Sequence, residues 1–284
     1  MEKRHNKHLV ADILRHVFIA LLAIFWLLPI FWLLVSSFSA YPGINTSRFF
    51  PEEWSGRNYA ALLGSDTVMN FKAWFMNTFK IACVCCVVST LFVIMVAYAT
   101  SFSRFKARKP FMNLAVILNL FPGVLAMISI YFVLKALGLT NTHFGLTLVY
   151  CASSGLGYLI AKGFFDTVPR SLCEAAKLDG ASQARTFFTI IMPLSKPIIV
   201  YTIISSFLTP WTDFVFAKMI LNSGISDMWT VSIGLYNMLE KSLINSYFSI
   251  FCAGGVIVSI PISILFVIMQ KFYVDGITGG AVKG

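Results

Sequence analysis

The segment EAAKLDGASQARTFFTIIMP, residues 174–193, is a polar, helix-punctuated stretch between two long apolar regions, and the fold is interpreted outward from it. Ser171 and Glu174 have the spacing of a capping box, so a short helix is predicted to begin at Ser171. The residues after Glu174 favour helix, and Gly180 can adopt the left-handed conformation that ends one. Ser182 can then cap a second helix. The segment therefore predicts a helix, a glycine turn and another helix.

The second of these helices is predicted to be amphipathic. Its apolar side chains recur at helical spacing, at Ala184, Phe187, Phe188 and Ile191, and Pro193 is expected to stop the pattern. A polar helix pair with one apolar stripe, lying between apolar regions, indicates a docking element held at a membrane face. The alternative is a generic amphipathic cytoplasmic loop.

The same segment resembles the EAA signature of the inner-membrane permease subunits of ATP-driven (ABC) importers. Positions that match the family's spacing are Glu174, Ala175, Ala176, Gly180, Ile190 and Pro193. Met192 replaces the usual leucine, an exchange that nearly conserves volume. The resemblance implies that these residues, with Asp179, form coupling helices that sit in a cleft of a cytoplasmic ATPase.

The composition is that of a membrane protein. Hydrophobic residues make up 58% of the 284 residues, charged residues only 12%, and the mean hydropathy is +0.79, outside the range of soluble domains. The net charge of +10 would suggest nucleic-acid binding in a soluble protein, but here the basic residues are first counted by membrane side. The cysteines are expected to be small buried hydrophobes: Cys83, Cys85, Cys86, Cys151, Cys173 and Cys252.

Six apolar runs are long enough to cross roughly 30 Å of hydrocarbon at about 20 residues each. They cover residues 16–38, 78–102, 111–136, 146–165, 197–220 and 248–271. The predicted fold class is an all-α polytopic membrane protein with six transmembrane helices. Its predicted organisation is a cytoplasmic N-terminus (1–15), a permease domain (16–271) containing the coupling loop (166–196), and a cytoplasmic tail (272–284). The first run lacks a small-residue cleavage site, so it is interpreted as an uncleaved span.

The distribution of basic residues predicts the orientation. Fifteen of the 22 lysines and arginines fall on the side of the membrane that carries both termini and the coupling loop: Lys3, Arg4, Lys7, Arg15, Arg104, Lys106, Arg108, Lys109, Lys162, Arg170, Lys177, Arg185, Lys196, Lys271 and Lys283. The positive-inside rule places that side in the cytoplasm. The loops at 39–77 and 221–247, and the loop between the third and fourth spans, then face outward.

Two spans contain residues that interrupt or tighten a helix. In the third, Asn119 with Pro122 and Gly123 predicts a bend. The fourth has a small-residue face suited to close packing, formed by Ser153, Ser154, Gly155 and Gly157. Helix packing and a pore-lining role are both open for these residues.

The fifth span contains Trp211-Thr212-Asp213-Phe214, which resembles the corresponding run in sugar permeases. Asp213 is the carboxylate placed inside a span, where an ionisable group usually faces a cavity or a partner. Trp211 and Asp213 are therefore candidates for the translocation path. The alternative for Asp213 is a hydrogen bond to a neighbouring helix.

Weaker resemblances extend over most of the chain. Asn58-Tyr59, the run Trp74-Phe75-Met76-Asn77-Thr78, and the tail from Asp275 to Gly284 are similar to carbohydrate-type permeases, the tail to the smaller subunit of maltose-type and multiple-sugar importers. The resemblance implies a second, related permease subunit, a cytoplasmic ATPase dimer, an extracytoplasmic solute-binding protein and a sugar substrate. It also implies a location in the lipid of a bacterial inner membrane and no nucleic-acid partner.

No motif for catalysis or for cofactor binding is found. The glycines of the tail lead to Lys283-Gly284 without the hydroxyl residue of a phosphate loop, and the histidines form no metal-binding pair. We therefore expect no cofactor, no metal and no enzymatic activity, with ATP hydrolysed by a separate chain. The alternative is a self-contained secondary transporter or channel, which would normally show inverted repeats or several intramembrane charges. An integral-membrane enzyme would need a catalytic cluster.

Overall fold

A computed structural model describes most of the chain. Its backbone is described over residues 2–44, 48–64, 70–103, 105–153 and 155–281, and its side chains over the same ranges except 2–11, 155–156 and 273–281. Over these residues the regular secondary structure is helical, apart from one antiparallel bridge between Ser39 and Trp54. The predicted all-α class is confirmed. Arg104, Ser154 and Lys283 lie outside what is described, as do the side chains of Lys3, Arg4, Lys7 and the tail.

The helices before the coupling loop are α1 (Glu2–Ser37), α2 (Arg57–Leu62), α3 (Phe71–Phe102), α4 (Arg108–Leu120), α5 (Gly123–Ala136), α6 (His143–Ala152) and α7 (Gly155–Phe165). From the coupling loop onward they are α8 (Arg170–Leu178), α9 (Gln183–Leu194), α10 (Lys196–Thr212), α11 (Val215–Ile220), α12 (Val231–Asn237) and α13 (Ile244–Ala281).

Four helical stretches are long and apolar enough to cross a membrane: Asp12–Ser37, Phe71–Phe102, His143–Phe165 and Ile244–Phe272. Two further pairs pass the same test together but are bent, α4 with α5 by 105° and α9 with α10 by 84°. The count is therefore six if each bent pair is one span, which agrees with the predicted polytopic fold.

The bend in the third span lies where the sequence predicts it. Phe121 is extended (φ −69°, ψ 137°) between α4 and α5, and Pro122 follows. A proline disfavours helical backbone in the residue before it and offers no N–H to continue the ladder. Asn119 contributes no bridge across the bend, since its amide donates back to the Ala115 carbonyl at 2.8 Å within α4.

The prediction of one continuous fifth helix over 197–220 is wrong. The helix ends at Thr212, Asp213 is extended (ψ 119°), and the short α11 begins at Val215. The reason is local, since the carboxylate of Asp213 caps the helix that follows.

Close packing of the fourth span is visible at Gly157. A Cβ added there would lie 3.3 Å from a methyl of Val93, so α7 approaches α3 more closely than a larger residue would permit. This supports the packing interpretation of the small-residue face.

The chain forms two compact units. The smaller comprises Met1–Thr67 and Asn237–Ile257, and the larger Val68–Tyr236 and Val258–Gly284. In the smaller unit, the buried amide of Asn58 donates to the carbonyls of Ser37 and Ser39 at 2.9 and 2.8 Å. Asn58 therefore stabilises the chain where α1 ends. The predicted boundary of the permease domain stays a prediction.

In the larger unit, α3 runs through two buried clusters. The first comprises Ile81, Cys85, Leu134, Leu146, Val149, Tyr150, Phe216, Ala217, Ile220, Leu221 and Ile233. The second comprises Val93, Ile94, Ala97, Ala161, Phe165, Phe187, Ile191 and Ile198. Because Phe187 and Ile191 belong to the predicted coupling segment, that segment is part of the core and not a loose loop.

The prediction that all six cysteines are buried is only partly right. Cys85 and Cys252 are buried and Cys83 is exposed, while the other three are half-buried. Cys83, Cys85 and Cys86 lie on different faces of α3, so an apolar run alone does not decide which of them points inward.

Candidate coupling segment and solute cavity

The first helix of the coupling segment starts earlier than predicted. α8 begins at Arg170 after Pro169 (φ −59°, ψ 126°), and no side chain caps it. Ser171 therefore lies inside the first turn, and the predicted capping box with Glu174 is wrong. The fixed φ of Pro169 is already suitable for entry into a helix, so the helix begins before Ser171.

The turn between the two helices has the predicted glycine conformation. Gly180 has φ +77°, its N–H donates to the Lys177 carbonyl at 3.1 Å, and the Ala181 N–H donates to the Ala176 carbonyl at 2.9 Å. These two bonds form a Schellman motif, which requires a left-handed residue at this position. An added Cβ would meet no atom within 4 Å, so the backbone conformation alone selects glycine.

The second helix begins as predicted but does not end at Pro193. The Ser182 hydroxyl accepts from the Arg185 N–H at 3.2 Å, and α9 then runs to Leu194. Residues Phe187–Ile191 form a π-helical turn. A widened turn directly before Pro193 changes the hydrogen-bond register, so the missing proline N–H does not break the helix.

The predicted apolar stripe of α9 is wrong for two of its four residues. Phe187 (7% exposed) and Ile191 are buried, whereas Ala184 and Phe188 (60% exposed) are not. Phe187 and Ile191 are four residues apart, as are Ala184 and Phe188, so the buried pair and the exposed pair lie on neighbouring faces of the helix. The two adjacent phenylalanines therefore differ in environment, one in the core and one at the surface.

The coupling segment is held against the end of α3 by three contacts. The rings of Tyr98 and Phe187 are 4.9 Å apart. The Tyr98 hydroxyl donates to the Gln183 carbonyl at 3.4 Å, and the Arg170 guanidinium donates to the Ser101 carbonyl at 3.3 Å. These contacts fix the segment to α3.

Two titratable groups in and beside the coupling segment, Asp166 and Cys173, have shifted pKa values. Lys162, in the last turn of α7, forms an ion pair with Asp166. Partial burial alone would raise the pKa of Asp166, but the hydrogen bond and charge of Lys162, together with the charge of Arg108, hold it below its usual range. Burial, followed by the neighbouring charge of Glu174, raises the pKa of the Cys173 thiol. That thiol is consequently a poor nucleophile.

The outer face of the segment carries most of the predicted coupling residues. Glu174, Ala175, Asp179, Gly180 and Pro193 are exposed, whereas Ala176 is buried and Ile190 is half-buried. Leu178, which the sequence interpretation did not single out, is 89% exposed. The exposed surface of the segment therefore combines carboxylates with large apolar side chains, of which Leu178 and Phe188 are the most exposed.

Asp213 occupies the junction between α10 and α11. Its carboxylate accepts from the Tyr150 hydroxyl at 2.6 Å and from the N–H groups of Phe216 and Ala217 at 3.2 and 3.0 Å. Its carbonyl accepts from the Ser232 hydroxyl at 2.6 Å. Asp213 thus caps α11 and bonds a neighbouring helix, and it also lines a cavity.

The two residues predicted for the translocation path, Trp211 and Asp213, lie in different environments. Trp211 is only 4% exposed, and its ring packs against Phe75 (5.2 Å) and Phe207 (5.9 Å). Its indole N–H has no hydrogen-bond partner among the described residues. Of the two, only Asp213 is found on a cavity wall.

Two cavities lie among the helices of the larger unit. The larger, of about 700 Å³, is lined from α4, α5, α6, α7, α10 and α11 and includes Asp213. The smaller, of about 200 Å³, is lined mainly by hydroxyl side chains from α3, α6 and α10. Tyr150, Ser153 and Thr209 line both cavities. The sequence interpretation missed the hydroxyl residues of α10, although their four-residue spacing in an apolar helix is visible in the sequence.

Sequence and structure comparisons place the chain among known transport proteins. Residues 89–279 match the family of binding-protein-dependent transport system inner membrane components. The chain belongs to this family. The permease is 32% identical over 270 residues to the galactooligosaccharides transport system permease protein GanQ of Bacillus subtilis, covering 95% of this chain and 94% of the relative. It is 30% identical to the maltodextrin transport system permease protein MdxG of the same organism, covering 95% of each chain.

The solved structures agree on the fold. The permease superposes with a TM-score of 0.76 on the crystal structure of a bacterial ABC transporter involved in the import of the acidic polysaccharide alginate, at 23% identity, covering 93% of this chain and 96% of that one. Membership in the family makes the permease a multi-pass bacterial membrane component of a transport system and not an enzyme. It also favours the importer subunit over a self-contained transporter or channel.

Among the residues whose side chains are described, no three His, Cys, Asp or Glu residues are placed to hold a metal ion.

Proposed function

We propose that the permease is one of two related membrane subunits of a binding-protein-dependent ABC importer for a sugar or oligosaccharide. An ATPase dimer on the cytoplasmic side supplies the energy, and an extracytoplasmic binding protein delivers the solute. Both termini and the coupling segment face the cytoplasm. The relatives GanQ and MdxG, which are named for galactooligosaccharides and maltodextrin, support the substrate class.

The observation that carries the proposal is the two-sided character of the coupling segment. Its inner face is fixed in the core by Phe187 and Ile191, and its outer face exposes Leu178 and Phe188 beside Glu174. Large apolar side chains among carboxylates at a protein surface are typical of a site that a partner covers. The occupant we assign is the cleft of an ATPase subunit, as the signature resemblance implies.

The covalent path from this segment to the cavity is short and helical. Ser195, which is buried, is the one residue between α9 and α10, and the two helices meet at 84°. α10 then carries cavity residues from Tyr201 to Thr209 and ends beside Asp213. Movement of α9 with a closing ATPase would therefore reorient a cavity wall, as in a rigid-body switch.

In this proposal the path residues have unequal roles. Asp213 faces the solute path, whereas Trp211 acts indirectly, by fixing α10 against Phe75 of α3.

The test is reconstitution of the permease with its genome-neighbouring permease, ATPase and binding protein. We expect the four components to copurify from mild detergent, and ATP to drive uptake of a malto- or galacto-oligosaccharide into proteoliposomes. Vanadate, which blocks ATP hydrolysis, should stop this uptake. Sugar uptake by the permease alone, without an ATPase, would overturn the proposal.

A further inference from the structure

One face of α10 is a row of hydroxyl groups. Its members recur at positions i, i+4 and i+8, spacing that aligns side chains on one helical face, and comprise Tyr201, Thr202, Ser205, Ser206 and Thr209. All five line the cavity of about 200 Å³, where Ser89 of α3 and Tyr150 and Ser153 add further hydroxyls. We call these eight residues the hydroxyl wall.

The hydroxyls of the wall keep hydrogen-bonding capacity. Thr202 and Thr209 donate to carbonyls of their own helix at 2.8 and 3.0 Å. A hydroxyl has one donor and two acceptor lone pairs, so each of these oxygens can still accept a hydrogen bond. Ser89, which is only 2% exposed, also lines the cavity. The wall therefore offers hydrogen-bonding groups to a polar molecule in the cavity.

Among the described residues, the lining of the cavities carries negative charge and no positive charge. Among the described residues that line the two cavities, which share Tyr150, Ser153 and Thr209, Asp213 alone is charged, and none is a lysine or arginine. A second anion brought close to Asp213 in these partly enclosed spaces would lose hydration and be repelled without a compensating cation. A neutral hydroxyl-rich molecule is not repelled, and the hydroxyls of the wall can replace the hydrogen bonds to water that it loses.

We propose that the hydroxyl wall is a passage site for neutral polyhydroxylated solutes, and that the Asp213 carboxylate excludes acidic saccharides such as uronates. The site rests on the proposed function and specifies its substrate class. It gives this subunit a part in selectivity in addition to that of the binding protein.

The test uses Ser205→Cys in the assembled transporter and two thiol reagents that differ in charge. These are the trimethylammonium and sulfonate forms of an ethyl methanethiosulfonate, and labelling of the parent chain gives the background from its own cysteines. Relative to the rates with a free thiol in water, the cationic reagent should react about tenfold faster than the anionic one. Asp213→Asn, which keeps an oxygen for capping, should remove most of that preference. Equal relative rates, or a preference that Asp213→Asn leaves unchanged, would overturn the proposal.

Two controls separate charge from structural disturbance. Tyr150→Phe removes the hydroxyl bonded to Asp213 but keeps the carboxylate, so the cation preference should persist. If it is lost as in Asp213→Asn, the carboxylate charge is not the cause and the proposal fails. Ile225→Cys, exposed and outside both cavities, should give a rate ratio that does not depend on Asp213.

Solute protection supplies the second readout. Maltohexaose or a galacto-oligosaccharide should slow modification of Ser205→Cys at least threefold, and an alginate oligosaccharide of similar size at the same concentration should not. Equal protection by the uronate, or none by either neutral sugar, would overturn the site. ATP-driven uptake is measured on the same preparation: uptake without charge preference overturns this inference alone, and charge preference without ATPase-dependent uptake overturns the proposed function alone.

Discussion

At the residue scale, two glycines near the membrane face have equal space around them but different backbone conformations. Neither Gly180 nor Gly163 has an atom within 4 Å of the position that a Cβ would occupy. Gly180 has φ +77° in the turn between α8 and α9, whereas Gly163 lies inside α7 without positive φ. Since an added Cβ meets no atom at either site, a difference between the two substitutions reports backbone strain at Gly180.

Gly180→Ala and Gly180→Val should disturb coupling. A left-handed conformation costs an alanine about 1 kcal/mol or more, and a β-branched valine is worse. Since membrane insertion depends on the apolar spans, the protein should reach the membrane at near-normal levels. Uptake should fall in the order glycine, alanine, valine, with ATPase activity reduced or uncoupled from transport, in membranes matched for permease content.

Gly163→Ala is the matched control for this series. Alanine is favoured over glycine inside a helix, so transport and stability should be unchanged or slightly higher. Parental transport by Gly180→Val would show that the turn does not act in coupling. Loss of Gly180→Val from the membrane would instead assign the turn a role in folding.

At the scale of the helix, α9 contains two adjacent phenylalanines with opposite environments. Phe187 contacts Tyr98 and lies in the buried cluster, while Phe188 is exposed beyond it, although the two rings are only 4.9 Å apart. Substitution of each residue by itself therefore tests a different property: Phe187 the anchoring of the coupling segment, and Phe188 the docking of its partner.

We expect Phe187→Ala and Phe188→Ala to affect different properties. Removing the buried ring leaves a cavity, a change that typically costs about 3–5 kcal/mol, so Phe187→Ala should lower the thermal stability of the purified permease. Phe188→Ala should keep that stability and weaken copurification of the ATPase. Thermal unfolding in detergent and pull-down of tagged ATPase measure the two effects. A Phe188→Ala permease that binds ATPase normally would remove the apolar contact from the docking model.

At the scale of the whole molecule, the orientation follows from the basic residues. A cysteine at Lys106 should be protected from a membrane-impermeant thiol reagent in intact cells, because the positive-inside rule places that loop in the cytoplasm. A cysteine at Glu52 should react, and both should react in permeabilised cells. Labelling of the Lys106 position from outside would reverse the proposed topology.

The exposed first helix makes the permease dependent on other molecules. Every side chain from Asp12 to Phe31 is exposed, most of them apolar, so lipid or a neighbouring subunit must cover them. One coupling segment per chain and two ATPase clefts per dimer require two permease chains. Since the chain resembles the smaller subunit of a sugar-permease pair, we predict a heterodimer with a second, related permease. Expressed alone, the permease should be unstable or inactive. ATP-driven uptake by a reconstituted homodimer would contradict this.

Local patterns in the sequence were sufficient for the class of protein and for several turns. Length and hydropathy of the apolar runs determine membrane spans, since the bilayer is the solvent that they must match. Gly180, Ser182 and Pro122 act through their own backbone or nearest hydrogen bonds, so their effects were predictable. The coupling signature is likewise local, and the family membership agrees with it.

Tertiary structure decided which side chains face inward and what they contact. In α9, Phe187 is buried and its neighbour Phe188 is exposed, because the core covers only one edge of the apolar stripe that the sequence shows. Asp213 was recognisable as unusual, but its bond to Tyr150, 63 residues away, and its place beside the hydroxyl wall exist only when α6, α10 and α11 are assembled. A sequence fixes the period of each helix, whereas the rotation of one helix against another depends on how all their side chains pack together.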